Sequence, residues 1–189
     1  CFFCVQLLRC GALRLLLQTD ERWLELRGPI ACELMAAEER SLLLGRLGPD
    51  PLRAGADPAR ATERIARSRR QVGGLLMDQA VLAGVGNVYR AEILFRHGVS
   101  PFLPGRELDP AVWLAMWDDL VVLMRAGARS GRIVTTDPAE RERPAGRARR
   151  TDAHYVYRRA GLPCRRCGTP VASATMEARN LFWCPVCQT

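Results

Sequence analysis

The sequence predicts an α+β protein composed of several small domains, and three observations support this class. Short apolar and alternating segments fill most of residues 9–35, as in antiparallel strands. Asp-Pro pairs at 57–58 and 109–110 are typical of helix starts in the middle of the chain. Two Cys-x2-Cys pairs lie among short strand-like segments near the carboxyl end. With 48% hydrophobic and 25% charged residues in 189, wholesale disorder is excluded.

The front of the chain is predicted to form short strands. Residues 12–18 are apolar and extended, residues 19–21 resemble a turn, and residues 22–27 alternate between polar and apolar side chains. A further short run covers residues 30–35. So few strand residues cannot form an independent sandwich. We therefore expect residues 1–50 to be the carboxyl-terminal end of a larger domain of antiparallel β-strands.

The middle of the chain, residues 51–150, is predicted to be helical. A first helix should run from Pro58 towards Arg67, a second from Gln71 to Val81, and a third from Asn87 to about His97. A fourth helix should follow Asp109-Pro110 and bury one apolar stripe, formed by Trp113, Met116, Trp117, Leu120, Leu123 and Met124. Residues 127–152, rich in Arg, Gly and Pro, are predicted to be a mobile linker or basic loop.

The charge distribution favours a polyanionic partner. The formal net charge is +8, all 28 basic residues are Arg, and the excess of positive charge lies behind residue 50. A high-GC codon bias explains the choice of Arg over Lys, but it does not explain the excess of basic over acidic residues. Nucleic acid is the simplest partner for such a distribution.

The four cysteines near the carboxyl end form the strongest motif. Their pattern is C-x2-C-x16-C-x2-C, and its members are Cys164, Cys167, Cys184 and Cys187. Two Cys-x2-Cys turns can complete a closed tetrahedral zinc site, which is structural rather than catalytic. Redox thiols or disulfides are the alternative, but a single redox motif would not need a matched second pair. We predict a four-cysteine zinc finger over residues 151–189.

A glycine-rich turn precedes the predicted helix at Asn87. Gly84 and Gly86 would let the backbone approach another molecule closely, and the amino end of the helix suits a phosphate. The turn does not extend to G-x-G-x-x-G and no strand precedes it, so a dinucleotide-binding fold is rejected. By itself this segment fits a DNA-binding helical turn and a purely structural αα-hairpin equally well.

Together, the two motifs resemble the formamidopyrimidine-DNA glycosylase/endonuclease VIII family, in particular the endonuclease VIII-like enzymes of actinobacteria. The resemblance is carried by residues 75–101, LLMDQAVLAGVGNVYRAEILFRHGVSP, and by residues 178–188, ARNLFWCPVCQ. It also includes the Arg46-Leu-Gly-Pro-Asp-Pro segment and covers most of the chain from about residue 42. It implies a helix-two-turn-helix DNA-binding domain over residues 51–150, followed by a β-hairpin zinc finger with one structural zinc.

Three site residues follow from the resemblance. Asn87 corresponds to the Asn that binds a phosphate beside the lesion, and Arg46 to an Arg that contacts DNA. Arg179 corresponds to the zinc-finger Arg that grips phosphates around the abasic site and is implicated in δ-elimination. For Arg46 a solvated surface role is an equal alternative.

The sequence also departs from the family pattern. Family members begin with Pro-Glu and carry a catalytic Lys in the β domain, whereas this chain begins Cys1-Phe2 and contains no Lys. We therefore interpret the chain as the DNA-binding portion of a bifunctional DNA glycosylase/abasic-site lyase that removes oxidised bases, with the catalytic amino terminus absent. The isolated chain is predicted to be inactive. The alternative function is a non-enzymatic, zinc-dependent nucleic-acid-binding module.

The resemblance implies damaged double-stranded or abasic-site DNA as the partner. We expect a monomer that acts in the bacterial cytoplasm at the nucleoid. No apolar run approaches the roughly 18–20 residues that span a bilayer, so a membrane partner is not expected.

Overall fold

A computed structural model describes residues 12–28, 32–144 and 146–189. It divides into two compact units, the first ending at Leu44 and the second beginning at Gly45. Within the described residues, no helix is both long enough and apolar enough to cross a membrane.

The first unit contains a two-stranded hairpin, here called the front hairpin. Strands β1 (Leu13–Gln18) and β2 (Trp23–Arg27) pair antiparallel as predicted. Helix α1 follows at Ala37–Gly45. The predicted third strand is wrong for residues 32–35, which form no strand, while residues 30 and 31 lie outside the described part. Instead, the residue that follows this run begins the next helix: the Glu39 carboxylate accepts the N–H of Ala36 at 2.8 Å, which caps the amino end of α1.

The second unit begins with four helices. They are α2 (Ala59–Ala66), α3 (Val72–Leu75), α4 (Asn87–Arg96) and α5 (Pro110–Ser130). Both Asp-Pro pairs start helices as predicted, because Asp57 accepts the N–H of Ala59 at 2.8 Å and Asp109 that of Ala111 at 2.7 Å. Helix α5 ends at Gly131, whose φ of 66° is the left-handed conformation that suits glycine.

The predicted helix over residues 71–81 is wrong in extent, since only the single turn α3 is helical. Gly73 and Gly74 are poor helix formers, and Gly73 packs so closely against Pro101 that a side chain would not fit. After α3 the Asp78 carboxylate accepts the N–H of Ala80 at 3.0 Å. This side-chain hydrogen bond favours a turn over continued helix.

The apolar stripe of α5 forms the centre of the helical core, as predicted. Trp113, Met116, Trp117, Leu120 and Met124 are buried, and Leu123 packs against them from a partly buried position. The Trp113 indole N–H donates to the Thr62 hydroxyl at 2.8 Å, which joins α5 to α2.

The prediction of a mobile linker over residues 127–152 is wrong for much of that segment. Helix α5 continues to Ser130, and Thr135, Thr136 and Asp152 are buried polar residues with hydrogen-bond or ion-pair partners. Thr135 donates its N–H to the carbonyl of Ala153 at 2.9 Å. The segment contains few apolar side chains and is held mainly by hydrogen bonds to the backbone. Such packing produces no recognisable pattern in the sequence.

The chain ends in a second two-stranded hairpin, here called the zinc hairpin. Strands β3 (Ala172–Met176) and β4 (Arg179–Trp183) pair antiparallel, with Met176 opposite Arg179. Glu177 and Ala178 form the tip with φ values of 51° and 54°, as a type I′ turn requires at both central positions.

Candidate metal centre and nucleic-acid interface

The four predicted cysteines converge at one point beside the zinc hairpin. The sulfur atoms of Cys164, Cys167, Cys184 and Cys187 all lie within 4.8 Å of one another. Cys167 and Cys184 are 3.4 Å apart, and Cys164 and Cys187 are 3.9 Å apart. Four sulfurs at about 2.3 Å from one zinc ion would be separated by roughly 3.8 Å, so this spacing fits a tetrahedral site.

Hydrogen bonds and burial act in opposite directions on the thiols of this cluster. The backbone N–H of Arg166 donates to Cys164 Sγ at 3.4 Å. Hydrogen bonds from the side chain and backbone of Thr169 lower the pKa of Cys167 to about 6, whereas burial raises the pKa of Cys164 and of Cys187. The cluster is a closed four-cysteine site, and the cofactor it takes is one structural zinc.

A buried carboxylate on α4 attaches the segment that leads into the zinc finger. Glu92 accepts the N–H groups of Tyr155, Val156 and Tyr157 at 2.7, 2.9 and 2.8 Å. It also accepts the hydroxyl of Thr135. Four donors around one carboxylate compensate the loss of hydration that burial imposes on its charge. The helix thus fixes the base of the zinc finger.

The glycine-rich turn before α4 is held by one side chain. The Gln79 amide donates to the carbonyl of Val85 at 3.0 Å and accepts the N–H of Gly84 at 2.9 Å. Gly84 has a φ of 80°, which favours glycine, whereas Gly86 is extended and forms the N-cap of α4. The Gln79 side chain thus fixes the turn and with it the position of the amino end of α4.

Asn87 connects that turn to the zinc hairpin. Its side-chain N–H donates to the backbone carbonyl of Asn180 at 2.9 Å, and its oxygen accepts the Arg90 guanidinium. Arg90 is fully buried and also donates to the carbonyls of Met176 and Asn180, both at 3.3 Å. Desolvation lowers the pKa of Arg90, the negative charge of Glu177 opposes this, and the positive charge of Arg179 adds to it. Two cationic groups and one amide therefore meet here.

Arg179 lies exposed at the first position of β4, next to Asn180. The hairpin tip is attached to the helical domain by Arg70, which forms ion pairs with Asp78 at 2.8 Å and with Glu177 at 3.2 Å. The hydrogen bond to Asp78 raises the pKa of Arg70 and lowers that of Asp78. Two of the three predicted DNA-binding residues, Asn87 and Arg179, thus lie at one junction.

Arg46 lies exposed before the segment that packs against the glycine-rich turn. Two residues later, Gly48 donates its N–H to the carbonyl of Gln79 at 2.9 Å, and Pro49 accepts the N–H of Ala83 at 3.0 Å. Consecutive Cα atoms are 3.8 Å apart, so Arg46 begins within about 8 Å of Gly48. No hydrogen bond joins Arg46 to Asn87 or Arg179 among the described residues.

Sequence reasoning missed Gln79, Arg90 and Glu92 as site-building residues. All three stand within the segment that carries the family resemblance, but the partners of Arg90 and Glu92 are distant in the sequence. Arg90 binds a carbonyl 90 positions further along the chain. A charged residue on the apolar face of a short helix was the only available signal for Glu92 and Arg90.

Comparisons with known proteins identify both parts of the second unit. A family model described as the formamidopyrimidine-DNA glycosylase H2TH domain matches residues 47–138, and one described as the zinc finger found in FPG and IleRS matches residues 161–189. Endonuclease 8 1 of Mycobacterium tuberculosis is 48% identical over 179 residues, which are 95% of this chain and 67% of that protein. The chain belongs to the formamidopyrimidine-DNA glycosylase/endonuclease VIII family. It contains the DNA-binding H2TH domain and zinc finger of this DNA-repair family.

Other relatives agree with this assignment. Formamidopyrimidine-DNA glycosylase of Geobacillus kaustophilus is 34% identical over 145 residues, 77% of this chain and 52% of that protein. The crystal structure of MutM (Fpg) from Thermus thermophilus has a TM-score of 0.72 and 32% identity, covering 93% of this chain and 68% of the other. A complex between Lactococcus lactis Fpg and abasic-site DNA has a TM-score of 0.65 at 22% identity, covering 80% of this chain and 55% of the other, which shows the shared fold.

Proposed function

We propose that this chain clamps duplex DNA around an abasic or damaged nucleotide, as the DNA-binding portion of a DNA glycosylase/abasic-site lyase acting on oxidised bases. The observation that carries the proposal is the contact between Asn87 and the carbonyl of Asn180, which joins the H2TH turn to the strand that bears Arg179. One phosphate at this junction could contact both an amide and a guanidinium.

The electrostatics of the junction support an anionic ligand. The first N–H groups of α4 lack helical acceptors, since the first helical bond is donated by Arg90 to Gly86 at 2.9 Å. Buried Arg90 and exposed Arg179 add positive charge within the same junction. A phosphate placed there would stabilise a cation that is otherwise costly to bury.

Binding measured with the 189-residue, zinc-loaded chain tests this proposal. We expect abasic-site duplex to bind more tightly than intact duplex of the same sequence. Asn87→Ala should weaken binding about tenfold with little change in salt dependence, because the lost donor is neutral. Asn87→Asp, similar in size but negative, should weaken it more. If both variants bind abasic duplex like the parent, Asn87 does not contact the backbone.

The chemistry of the family needs an amine that attacks the sugar, and this chain contains no Lys. In a polypeptide of these 189 residues, the α-amino group of Cys1 is the only primary amine. We propose that such a polypeptide binds abasic-site DNA without cleaving it. Borohydride trapping should give no covalent complex above background. Efficient trapping that is lost when the α-amino group is blocked would contradict this.

The same proposal includes the organisation of the chain. We propose that residues 1–50 belong to the β-sandwich domain, residues 51–150 to the H2TH domain with its basic segment, and residues 151–189 to the zinc finger. We further propose that the chain acts as a monomer at the bacterial nucleoid. Light scattering after size-exclusion chromatography should give a mass near 21.0 kDa, whereas a stable dimer would contradict the monomer.

A further inference from the structure

A basic cavity lies at the base of the zinc finger. Its volume is about 500 Å³, and Glu142 is the only acidic residue among those that line it. The lining residues that matter here are Arg150, His154, Tyr157, Arg158, Arg159 and Arg165. Tyr157 contacts Phe182, which lies three residues, or roughly 10 Å, along β4 from Arg179.

The arginines of this cavity differ in how they are paired. Arg165 is committed, since it pairs with buried Asp152 at 3.3 Å and donates to the carbonyl of Thr151 at 2.6 Å. Arg150 and Arg158 form no ion pair with any acidic group among the described residues. Positive charge at this cavity is therefore only partly compensated.

Arg159 presents an unpaired donor at the same place. One of its terminal nitrogens donates to the carbonyl of Pro163 at 2.8 Å, but its buried Nε has no acceptor in the described part of the chain. Burial and the charge of Arg165 lower the pKa of Arg159. A buried N–H without an acceptor destabilises the folded protein, and an anion in the cavity could supply that acceptor.

Arg158 is also held in a strained conformation. Its φ is 56°, a left-handed value that glycine adopts without strain. The guanidinium lies 5.5 Å from the centre of the Tyr157 ring, which keeps it at the cavity. Backbone strain in a residue with a long cationic side chain is typical of sites where the side chain has a binding role.

We propose that this cavity binds a phosphate group, held by Arg158 and Arg159 with Arg150 at its edge. The planar guanidinium fork matches phosphate oxygens, and a phosphate brings negative charge to arginines that no carboxylate neutralises among the described residues. His154 lies half-buried beside the cavity and burial lowers its pKa, so the arginines supply the charge. The proposal does not depend on the DNA clamp at Asn87 and Arg179.

Two sources could supply the phosphate. It could be a backbone phosphate of the bound DNA, beyond those at the hairpin tip, or the phosphate of a free phosphorylated compound. Both use the same chemistry at Arg158 and Arg159. They differ in whether a duplex occupies the cavity.

Titration of inorganic phosphate into the zinc-loaded, 15N-labelled chain at constant ionic strength tests the site. The side-chain Nε–H signals of Arg158 and Arg159 should shift and saturate. Arg158→Gly should weaken phosphate binding about tenfold. Because glycine accepts the left-handed conformation, its melting temperature should equal or exceed that of the parent. Arg125→Ala, which removes an exposed charge from α5, is the matched control and should leave phosphate affinity unchanged.

A second titration with abasic-site duplex distinguishes the sources. Shifts of the Arg158 and Arg159 signals that inorganic phosphate reverses by competition would identify a DNA phosphate as the ligand. Phosphate binding with no duplex-induced shift would identify a free phosphorylated compound. The proposal is overturned if phosphate moves neither signal, or if Arg125→Ala weakens phosphate binding as much as Arg158→Gly does. Loss of duplex binding in Arg179→Ala would test only the proposed DNA clamp, not the phosphate site in this cavity.

Discussion

The front hairpin and the zinc hairpin are almost the same size but differ in what covers them. Both are antiparallel pairs of five- or six-residue strands. In the front hairpin Leu17 and Trp23 are 57% and 58% exposed, whereas Leu181 and Phe182 of the zinc hairpin are 0% and 8% exposed. Strand pattern alone does not decide whether such a hairpin is stable.

The difference shows what a short hairpin needs. Two strands in isolation are marginally stable in water. The zinc hairpin packs Phe182 into a cluster with Phe95 of α4 and Tyr155, and the cysteine site closes its far end. The front hairpin has no comparable core among the described residues. Its exposed apolar side chains therefore contribute little, while the same residue types in the zinc hairpin are essential.

Removing a zinc ligand should have the largest effect, because it should destabilise the zinc hairpin itself. With Cys184→Ala, or after strong chelation, the zinc hairpin should lose its protection against hydrogen exchange, because zinc binding at such sites supplies roughly 10–16 kcal/mol of folding energy. Helices α2 and α5 should stay folded on their own core.

Residue-resolved hydrogen exchange of parent and variant measures both parts of this outcome. Elemental analysis should find one zinc per parent chain purified under reducing conditions. A parent without zinc, or a Cys184→Ala variant whose hairpin exchanges as slowly as the parent, would contradict the account of the zinc hairpin.

Truncating one apolar side chain in each hairpin sharpens the comparison. Phe182→Ala should lower the free energy of unfolding by about 3–5 kcal/mol, because it opens a cavity in a packed cluster. Leu17→Ala should change it by no more than about 0.5 kcal/mol, since the side chain is already exposed. Urea unfolding of the two variants is the measurement. Equal losses of unfolding free energy in the two variants would mean that burial does not explain the difference between the hairpins.

A smaller effect is expected from the ion pair that supports the helix under the zinc hairpin. Asp119 of α5 accepts Arg96 at 2.6 Å and His97 at 3.2 Å, both at the end of α4. Burial alone would raise the pKa of Asp119, but these hydrogen bonds outweigh it and hold the pKa below its ordinary value. Asp119→Asn should cost about 1 kcal/mol at neutral pH.

The pH dependence of this contribution has a defined sign. A carboxylate with a lowered pKa in the folded state stabilises the protein above its unfolded-chain pKa of about 3.9. That stability is lost as pH falls through the lower, folded-state pKa. Unfolding free energies measured from pH 7 to pH 2 should therefore fall less steeply for Asp119→Asn than for the parent. Parallel curves would show that the ion pair does not contribute.

Local signals predicted the parts of the fold that depend on local chemistry. Asp57 and Asp109 start helices through hydrogen bonds to residues two positions away, and the stripe on α5 follows helical spacing. The cysteine cluster was predictable because zinc imposes its own ligand spacing. These features need no knowledge of what lies elsewhere in the chain.

The predictions failed where contacts between residues far apart in the sequence determine the structure. In α3, Gly73 lies so close to Pro101 that no side chain would fit, and residues 127–152 are fixed by buried hydrogen bonds such as that from the Thr136 hydroxyl to the Asp152 carbonyl. The contact between Asn87 and Asn180 spans 93 positions. The family resemblance named Asn87 and Arg179, but only the tertiary structure places them at one junction.

Salt-dependent binding of Arg179→Ala tests the DNA clamp most directly. Fluorescence anisotropy with abasic-site duplex, measured over a range of salt concentrations, gives both affinity and the slope of log K against log salt. Removing one phosphate contact should weaken binding and reduce the magnitude of the slope by about one unit. Arg125→Ala removes the same charge from an exposed position that forms no hydrogen bond or ion pair with the junction residues in the described part of the chain, and should keep the parent slope. If Arg179→Ala has the parent affinity and slope throughout, Arg179 does not grip the DNA backbone.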